Sequence, residues 1–299
     1  MSLAESRTEK KPHPGRQYII DIRNKKITIG PEPWLAGILN VTPDSFSDGG
    51  QYFEPGQAVD RALRLLDQGA RIIDIGGEST RPGSKEIPAE EELARVIPVI
   101  KKLRPQTAAL ISIDTRKSLV ARAALDEGVD LINDISALGH DPEMAAVAAA
   151  ARVPVILMHM QGRPETMQLN PRYDDLLGEI RSFFLDRISQ AEAAGIASDR
   201  LVLDPGLGFG KTLEHNLTLI NRLDFFLDLG KPLLVGPSRK SFIGLILEAP
   251  VDQRLEGTLA AAIISWLRGA AIIRVHDVLE TKRALQVAQS IVKEERVVV

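Results

Sequence analysis

Eight short apolar runs divide the sequence, and each stops abruptly at a residue that can bind a ligand or titrate. The runs end at Leu39, Ile75, Ile113, Ile132, Met158, Leu203, Val235 and Val275. An asparagine, aspartate, histidine or glycine follows each one, and successive ends lie roughly 20 to 45 residues apart. Eight strand–loop–helix units favour a closed α/β barrel, the (β/α)8 TIM barrel, although an open doubly wound sheet is the alternative. In a barrel all eight strand ends emerge on one face, so we expect that face to carry the site.

Between the runs lie amphipathic stretches whose apolar residues recur at helical spacing. They predict helices over 58–66, 93–103, 119–125, 176–191, 217–227, 259–267 and 278–292. Residues 18–29, with Arg-Asn-Lys-Lys at their centre, are typical of a β-hairpin, and we expect an N-terminal hairpin cap over 17–30 that closes the bottom of the barrel. Residues 1–16 are polar and are predicted to form a flexible tail, which leaves residues 17–299 as a single domain.

Charge and cysteine content exclude several functions. The formal net charge of −3 argues against general binding to nucleic acid or to an anionic membrane. The sequence contains no cysteine, which excludes disulfides, thiolate metal ligands and thiol nucleophiles and suits a reducing cytoplasm. The start of the chain lacks the pattern of a signal peptide, and the apolar stretch 259–267 is too short to span a bilayer. We therefore expect a cytoplasmic protein with no membrane or nucleic-acid partner.

Acidic and amide side chains mark the third, fourth and sixth run ends. They are Asp114, Asn133 and Asp204. Such a group converging on a floor would suit a flat heterocycle with several N–H donors, because paired N–H groups match a carboxylate. Each residue alone could instead be a helix cap or a turn former, as aspartate and asparagine often are. Their shared position on one face favours binding.

Basic residues mark the second, seventh and eighth loops. They are Arg81, Lys240, Arg274 and His276, with Ser241 nearby. Singly, such residues are often solvated surface groups, but together at one rim of an acidic chain they indicate an anion site. The last two strands of a barrel frequently bind phosphate, and Gly236-Pro-Ser leads into a helix whose first N–H groups would add donors.

Three other features refine the chemistry. The glycine-rich segment 204–211 follows neither dinucleotide nor Walker spacing, which favours a tight turn beside a ligand. His159 is interpreted as a structural hydrogen-bonding residue, since the sequence has no histidine pattern typical of zinc. A harder ion, Mg²⁺, would be held by oxygens such as that of Asn40 together with substrate phosphates.

Taken together, the motifs resemble those of the dihydropteroate synthase family. Residues 37–50, Gly-Ile-Leu-Asn-Val-Thr-Pro-Asp-Ser-Phe-Ser-Asp-Gly-Gly, resemble its first signature, and residues 74–83, Asp-Ile-Gly-Gly-Glu-Ser-Thr-Arg-Pro-Gly, its second. The match continues through 112–115, 133–135, 158–160, 204–211, 236–242 and 274–277. The resemblance implies a Mg²⁺-dependent, sulfonamide-inhibited homodimeric transferase. It would join p-aminobenzoate to 6-hydroxymethyl-7,8-dihydropterin diphosphate and release pyrophosphate.

The resemblance also implies roles for individual residues. The pterin would be bound by Asp114, Asn133, Met158, Asp204, Gly236, Lys240 and Arg274. The diphosphate would be bound by Asn40, Thr80, Arg81, Arg274 and His276, with Asn40 also on the metal. The p-aminobenzoate would be bound by Phe46, Thr80, Pro82, Phe209, Lys240 and Ser241. The catalytic residues would be Asp114, Lys240, Arg274 and His276, acting in a dissociative displacement.

Two other functions compete with this interpretation. A methyltransferase that passes a methyl group from methyltetrahydrofolate to a corrinoid protein would share the acidic floor but would not need the basic rim. A non-catalytic paralogue would often lack rim residues, which this sequence retains. The small-residue helix over 260–266 would form a dimer face or, alternatively, a well-buried barrel helix.

Overall fold

The computed structural model describes residues 16–42, 55–81 and 83–297, and its centre is a closed barrel of eight parallel strands. A two-stranded antiparallel hairpin comes first, β1 (Tyr18–Ile22) and β2 (Lys25–Ile29). The barrel strands are β3 (Trp34–Asn40), β4 (Ile72–Gly76), β5 (Leu110–Asp114), β6 (Leu131–Asp134), β7 (Val155–Met158), β8 (Leu201–Asp204), β9 (Leu233–Val235) and β10 (Ala270–Val275). Strand β10 pairs in parallel with β3 and closes the ring. The predicted barrel and hairpin are confirmed.

Nine α-helices surround the barrel within the described residues. They are α1 (Pro55–Asp67), α2 (Ala89–Leu103), α3 (Ser118–Asp126), α4 (Met144–Ala151), α5 (Leu176–Ala193), α6 (Leu213–Asn221), α7 (Ser241–Leu247), α8 (Leu255–Leu267) and α9 (Val278–Lys293). Helix α4 was not predicted, because it is apolar all round and lacks the periodic apolar stripe on which the prediction rests. Helix α7 was predicted only as the helix that follows Gly236-Pro-Ser, without bounds, because its seven residues are too few to show such a stripe.

The helix predicted over 217–227 is wrong in its second half. Helix α6 ends at Asn221, and a 3₁₀ helix, Leu223–Leu229, follows it. Leu223 and Phe226 are both buried, and a spacing of three residues places side chains on one face of a 3₁₀ helix. The same apolar residues therefore fit a tighter helix than the one predicted.

Successive side chains of each barrel strand lie alternately outside the barrel, against the helices, and inside it. Ile73 and Ile75 face the helices in the main apolar core, whereas Ile72 lies in the smaller core inside the barrel. Successive side chains in a strand point to opposite faces, so the residue two positions after Ile72, Asp74, also faces inward. The inward positions are thus apolar at the bottom of the barrel and polar near its top.

The hairpin closes the bottom of the barrel. Ile20 and Ile29 pack into the same core as Ile72 and other inward residues of five further strands. Asp21 also pairs with Arg200 just before β8, with Oδ2 and Nη2 3.2 Å apart. Because one end is sealed in this way, a ligand can reach the interior only from the carboxyl ends of the strands.

Some predictions fall outside what the structure describes or tests. The tail prediction lies almost wholly in residues 1–15, which are outside the described residues. Over the three described ranges, none of the helices is both long enough and apolar enough to cross a membrane. The domain division and the cytoplasmic location stay predictions.

Candidate active site

The polar inward residues of β4, β5, β6 and β10 form one hydrogen-bonded floor at the top of the barrel. Arg274 on β10 donates from Nε to Asp74 Oδ2 at 2.5 Å and from Nη2 to Asp114 Oδ2 at 2.8 Å. Asn133 on β6 donates from Nδ2 to the same Asp74 oxygen at 3.1 Å. The structure therefore brings three of the predicted pterin residues into contact through a carboxylate that was not predicted as a site residue.

The sequence does contain a feature that marks Asp74 as a candidate site residue. It interrupts the apolar run Ile72-Ile73-Asp74-Ile75, and an ionisable residue inside a strand that is buried on both faces is rare unless it is paired. The prediction concentrated on the residues after each run and so overlooked a polar residue within one. Asp74 is only 2% exposed.

Asp204 and Lys240 form the second part of the floor. Asp204 ends β8, and its Oδ1 accepts from the N–H of Gly206 at 2.7 Å. Lys240 precedes α7, and its Nζ lies 4.2 Å from the centre of the Phe209 ring. The ammonium group and an aromatic wall of the cleft are thus held together by a cation–π contact.

Burial shifts the pKa values of the floor residues toward neutral pH. It raises the pKa of Asp114 to about 7, opposed by Arg274 and reinforced by the like charge of Asp74. It also raises the pKa of Asp204 to about 6, opposed by the Gly206 N–H and by Lys240. Burial and the nearby Arg274 lower the pKa of Lys240 to about 8. Acids and bases with pKa values brought close together are characteristic of functional sites.

The basic rim contains one residue that is not charged. Burial and Arg274 lower the pKa of His276 to about 3, so this imidazole is neutral at physiological pH. Its Nδ1 lies 3.0 Å from Ser238 Oγ, which also accepts from the His276 backbone N–H. His276 therefore contributes a hydrogen-bonding group to the rim rather than the charge that the sequence interpretation allowed.

The remaining predicted residues lie around this floor with different exposure. Asn40 ends β3 and is half-buried, as are Thr80 and Gly236, whereas Arg81 and Ser241, the first residue of α7, are exposed. Phe46 and Pro82 lie outside the described residues. Asn40 offers an amide oxygen to a metal ion. Within the described ranges, no three histidine, aspartate or glutamate side chains lie close enough together to bind a metal ion by themselves.

One side wall of the cleft is apolar. Met158 and Phe209, both predicted, pack with Ile135 and with Met167, which was not predicted. Met167 belongs to the long segment after β7, whose Gln168 donates from Nε2 to the carbonyl of Gly208 at 2.5 Å. Residues 161–173 were expected to form a long loop on the face of the site, but the segment shows no apolar periodicity, so the sequence did not single out Met167.

The glycine-rich turn 204–211 is held against the end of β7. Gly206 has φ +68°, and a Cβ at this position would lie 2.0 Å from the carbonyl oxygen of His159. Lys211 donates from Nζ to the carbonyl of Phe209 at 2.9 Å and lies 3.1 Å from His159 Nδ1. Burial and Lys211 lower the pKa of His159 to about 2, so this histidine is a neutral acceptor in a structural cluster.

A sequence model of the family described as pterin binding enzyme matches residues 36–276, which run from the third residue of β3 to just past the end of β10. Together with the one-sided barrel and its acidic floor, this match defines the chain as a pterin-binding enzyme.

Three relatives define it further. The dihydropteroate synthase of Escherichia coli is 50% identical over 258 residues, which cover 86% of this chain and 91% of that enzyme. A structure of the Yersinia pestis dihydropteroate synthase with a sulfonamide drug has a TM-score of 0.87 and 46% identity, covering 92% of this chain and 99% of that one. A structure of the Xanthomonas albilineans dihydropteroate synthase with 7,8-dihydropteroate has a TM-score of 0.82 and 43% identity, covering 91% and 98%. The chain belongs to the dihydropteroate synthase family, and it is a transferase.

Proposed function

We propose that this chain condenses p-aminobenzoate with 6-hydroxymethyl-7,8-dihydropterin diphosphate, giving 7,8-dihydropteroate and pyrophosphate. The observation that carries the proposal is the floor on which Asp114, Asn133 and Asp204 face one cleft beside Lys240. Carboxylate and amide oxygens accept from the N–H groups of a pterin, and the ammonium group of Lys240 donates to its carbonyl or ring nitrogen. Met158 supplies an apolar contact for the flat ring system.

The reaction is a displacement at the pterin methylene carbon. The C–O bond to the diphosphate breaks, its electron pair leaves with the diphosphate, and the methylene becomes electron-poor. The lone pair of the p-aminobenzoate amine then forms the C–N bond, and the amine loses its proton to water. Since an aromatic amine is already nucleophilic, the enzyme needs no strong base, and we propose that bond breaking precedes bond formation.

Each part of the site acts where charge develops. Ionised Asp114 stabilises the positive charge on the pterin, whereas Arg274, Arg81 and the neutral His276 hold the departing diphosphate. Phe209 and Lys240 form one side of the p-aminobenzoate pocket, and Ser241 at the start of α7 receives its carboxylate. Sulfonamides, which bind a relative from Yersinia pestis, would compete with p-aminobenzoate for this pocket.

A magnesium ion fits the rim. Asn40 ends β3 with a half-buried amide, an oxygen donor that suits a hard cation, and diphosphate oxygens of the substrate would supply further ligands. When bound, Mg²⁺ supplies positive charge that stabilises the leaving diphosphate.

The proposed function is tested by an assay for pyrophosphate release. Purified protein receives dihydropterin diphosphate and Mg²⁺, with and without p-aminobenzoate, and mass spectrometry identifies the pterin product. We expect dihydropteroate only when both substrates are present, and loss of turnover when Mg²⁺ is chelated. Pterin binding without condensation would instead support the non-catalytic paralogue.

The pKa values predict a bell-shaped pH profile. Asp114 and Asp204 must be ionised to accept from the pterin, so kcat/KM is expected to fall as the pH drops through about 7 and then 6. Lys240 must be protonated, so kcat/KM is also expected to fall as the pH rises above about 8. Steady-state kinetics with dihydropterin diphosphate as the varied substrate measure both limbs. A flat profile between about pH 5 and 9 would contradict these assignments.

We further propose that the protein is a homodimer formed through helices α7 and α8. Within the predicted segment 260–266, Trp266 is buried against the barrel and Ile264 is exposed, so only the outer face is available. Leu245 and Ile246 on α7 add to this face at 65% and 53% exposure. Clustered exposed apolar side chains are typical of protein interfaces.

The variant Ile246→Glu is expected to convert the dimer to a monomer in sedimentation equilibrium, because it places a charge in the apolar interface. Ile291→Glu on α9 is the matched control, since Ile291 is 71% exposed on a different helix, and it should remain dimeric. A monomeric unmodified protein, or equal effects of the two variants, would contradict the proposed interface.

A further inference from the structure

Asp74 lies between Asn133, which holds the pterin in the proposed function, and Arg274, which holds the diphosphate. Its Oδ2 accepts from Arg274 Nε at 2.5 Å and from Asn133 Nδ2 at 3.1 Å, and its other oxygen, Oδ1, is buried without a hydrogen-bond partner among the described residues. One buried carboxylate thus contacts both a cation and an amide of the floor. None of the functions assigned above uses it.

The two carboxylates that contact Arg274 differ in their access to the cleft. The side chain of Asp114 is 12% exposed, whereas that of Asp74 is 2% exposed. A substrate entering from the top of the barrel therefore reaches Asp114 and not Asp74. When Asp114 accepts a hydrogen bond from the pterin, its contact with Arg274 is shared or lost. Asp74 is then the remaining carboxylate partner of Arg274.

Only 19% of the Arg274 side chain is exposed, and a largely buried guanidinium that loses its counter-ion is destabilised, because the low-dielectric interior solvates the charge poorly. We propose that Asp74 is a positioning residue, the permanent counter-ion that holds Arg274 in place and neutralised while Asp114 engages the pterin. This inference rests on the proposed function. The guanidinium is planar, so a fixed contact at Nε also fixes the plane that Arg274 presents to the substrate.

Asp74 orients Asn133 by the same chemistry. An ionised carboxylate has no proton to donate, so Asn133 must turn its NH₂ group toward Asp74. Its side-chain carbonyl oxygen is then the atom that can accept from a pterin N–H. An asparagine at position 74 could donate as well as accept, and this orientation would no longer be enforced.

The test compares Asp74→Asn with Ser112→Ala. Ser112 is a matched control, because it pairs with Asp74 in the register of β4 and β5 and is also completely buried. For Asp74→Asn we expect kcat/KM for dihydropterin diphosphate to fall by about 100-fold, with KM for p-aminobenzoate within about threefold of the unmodified protein. Ser112→Ala should change either value by less than about threefold.

The pH profile separates positioning from a purely structural role. Asp114 faces the charges of Arg274, Asp74, Lys240, Glu92 and Asp134. The variant removes only one of these charges, a negative one, so the acid limb of kcat/KM should move to lower pH. A variant with a lower melting temperature but an unchanged acid limb and unchanged pterin kinetics would overturn the proposal.

A second variant keeps the test valid if Asp74→Asn does not fold. The double variant Asp74→Asn/Arg274→Gln removes the cation together with its counter-ion and is expected to fold. Its dissociation constant for 6-hydroxymethyl-7,8-dihydropterin should exceed that of Arg274→Gln alone by less than about tenfold, since only the contact of Asp74 with Asn133 remains to be lost in that background. A further loss of about 100-fold, or a double variant that also fails to fold, would show that Asp74 acts independently of Arg274 and would overturn the proposal.

Different experimental results would contradict the role of Asp74 and the proposed function. If the unmodified protein forms no dihydropteroate, the proposed function is wrong. If it forms dihydropteroate and Asp74→Asn behaves as Ser112→Ala does, only the role of Asp74 is wrong.

Discussion

Replacing Asp114 with asparagine is expected to lower kcat by about 100- to 1,000-fold, because the amide cannot stabilise positive charge on the pterin methylene. The exchange keeps the shape of the side chain and leaves Asp74 as the partner of Arg274. The diphosphate contacts are made by other residues, so binding of pyrophosphate should weaken by no more than about threefold. Single-turnover kinetics measure the first quantity and calorimetric titration with pyrophosphate the second.

The matched control is Asp126→Asn, the same chemical change at an exposed residue that ends α3. This variant should retain the kinetics of the unmodified protein. If Asp114→Asn reduced turnover and pyrophosphate affinity by equal factors, Asp114 would be a general determinant of the site rather than a group that acts on the pterin cation. The same variant should also lose the acid limb that titrates near pH 7.

The second large effect is expected from Gly206→Ala. Position 206 has φ +68°, which costs an alanine about 1–2 kcal/mol, and the added Cβ would lie 2.0 Å from the carbonyl oxygen of His159. Backbone cannot move aside as a flexible side chain can, so the turn that carries Phe209 must shift. We expect a loss of activity of more than about 100-fold and a decrease in the free energy of unfolding of about 3 kcal/mol.

Gly230→Ala separates the two contributions to that effect. Gly230 has φ +71°, but no atom lies within 4 Å of the position that its Cβ would occupy. This control therefore carries the backbone strain without the clash and should cost about 1–2 kcal/mol with full activity. Denaturant unfolding followed by the pyrophosphate assay measures both variants. Equal losses in the two would show that the contact with His159 is unimportant.

The positions of the strands could be read from the sequence because each strand is an apolar run that ends at a polar residue. The same rule located Asp114, Asn133 and Asp204, which follow their runs directly. It could not locate Asp74, which lies inside a run, because burial of a charged residue depends on a partner 200 positions away, Arg274. Contacts between distant residues are decided by closure of the barrel, and no local pattern contains them.

The charge state of the basic rim also could not be predicted from the sequence. His276 and Arg274 follow each other closely, and their spacing indicates an anion site, but it does not show that the imidazole is neutral. That property results from burial and from the guanidinium of Arg274, both of which depend on the folded environment. The apolar wall has the same origin, since Met167 lines the cleft only because the segment after β7 lies against the turn at Gly208.

The hairpin at the bottom of the barrel has a consequence for the order in which the chain folds. Ile20 and Ile29 are among the earliest of the described residues to leave the ribosome, yet they pack against Ala271 and Ile272 on the last strand. Contacts between such distant parts of a chain form slowly, because a long loop must close before they are made. The apolar face of the hairpin therefore stays without its full set of partners until β10 has been synthesised. A product of premature termination before β10 would leave part of this face exposed to water and open to aggregation.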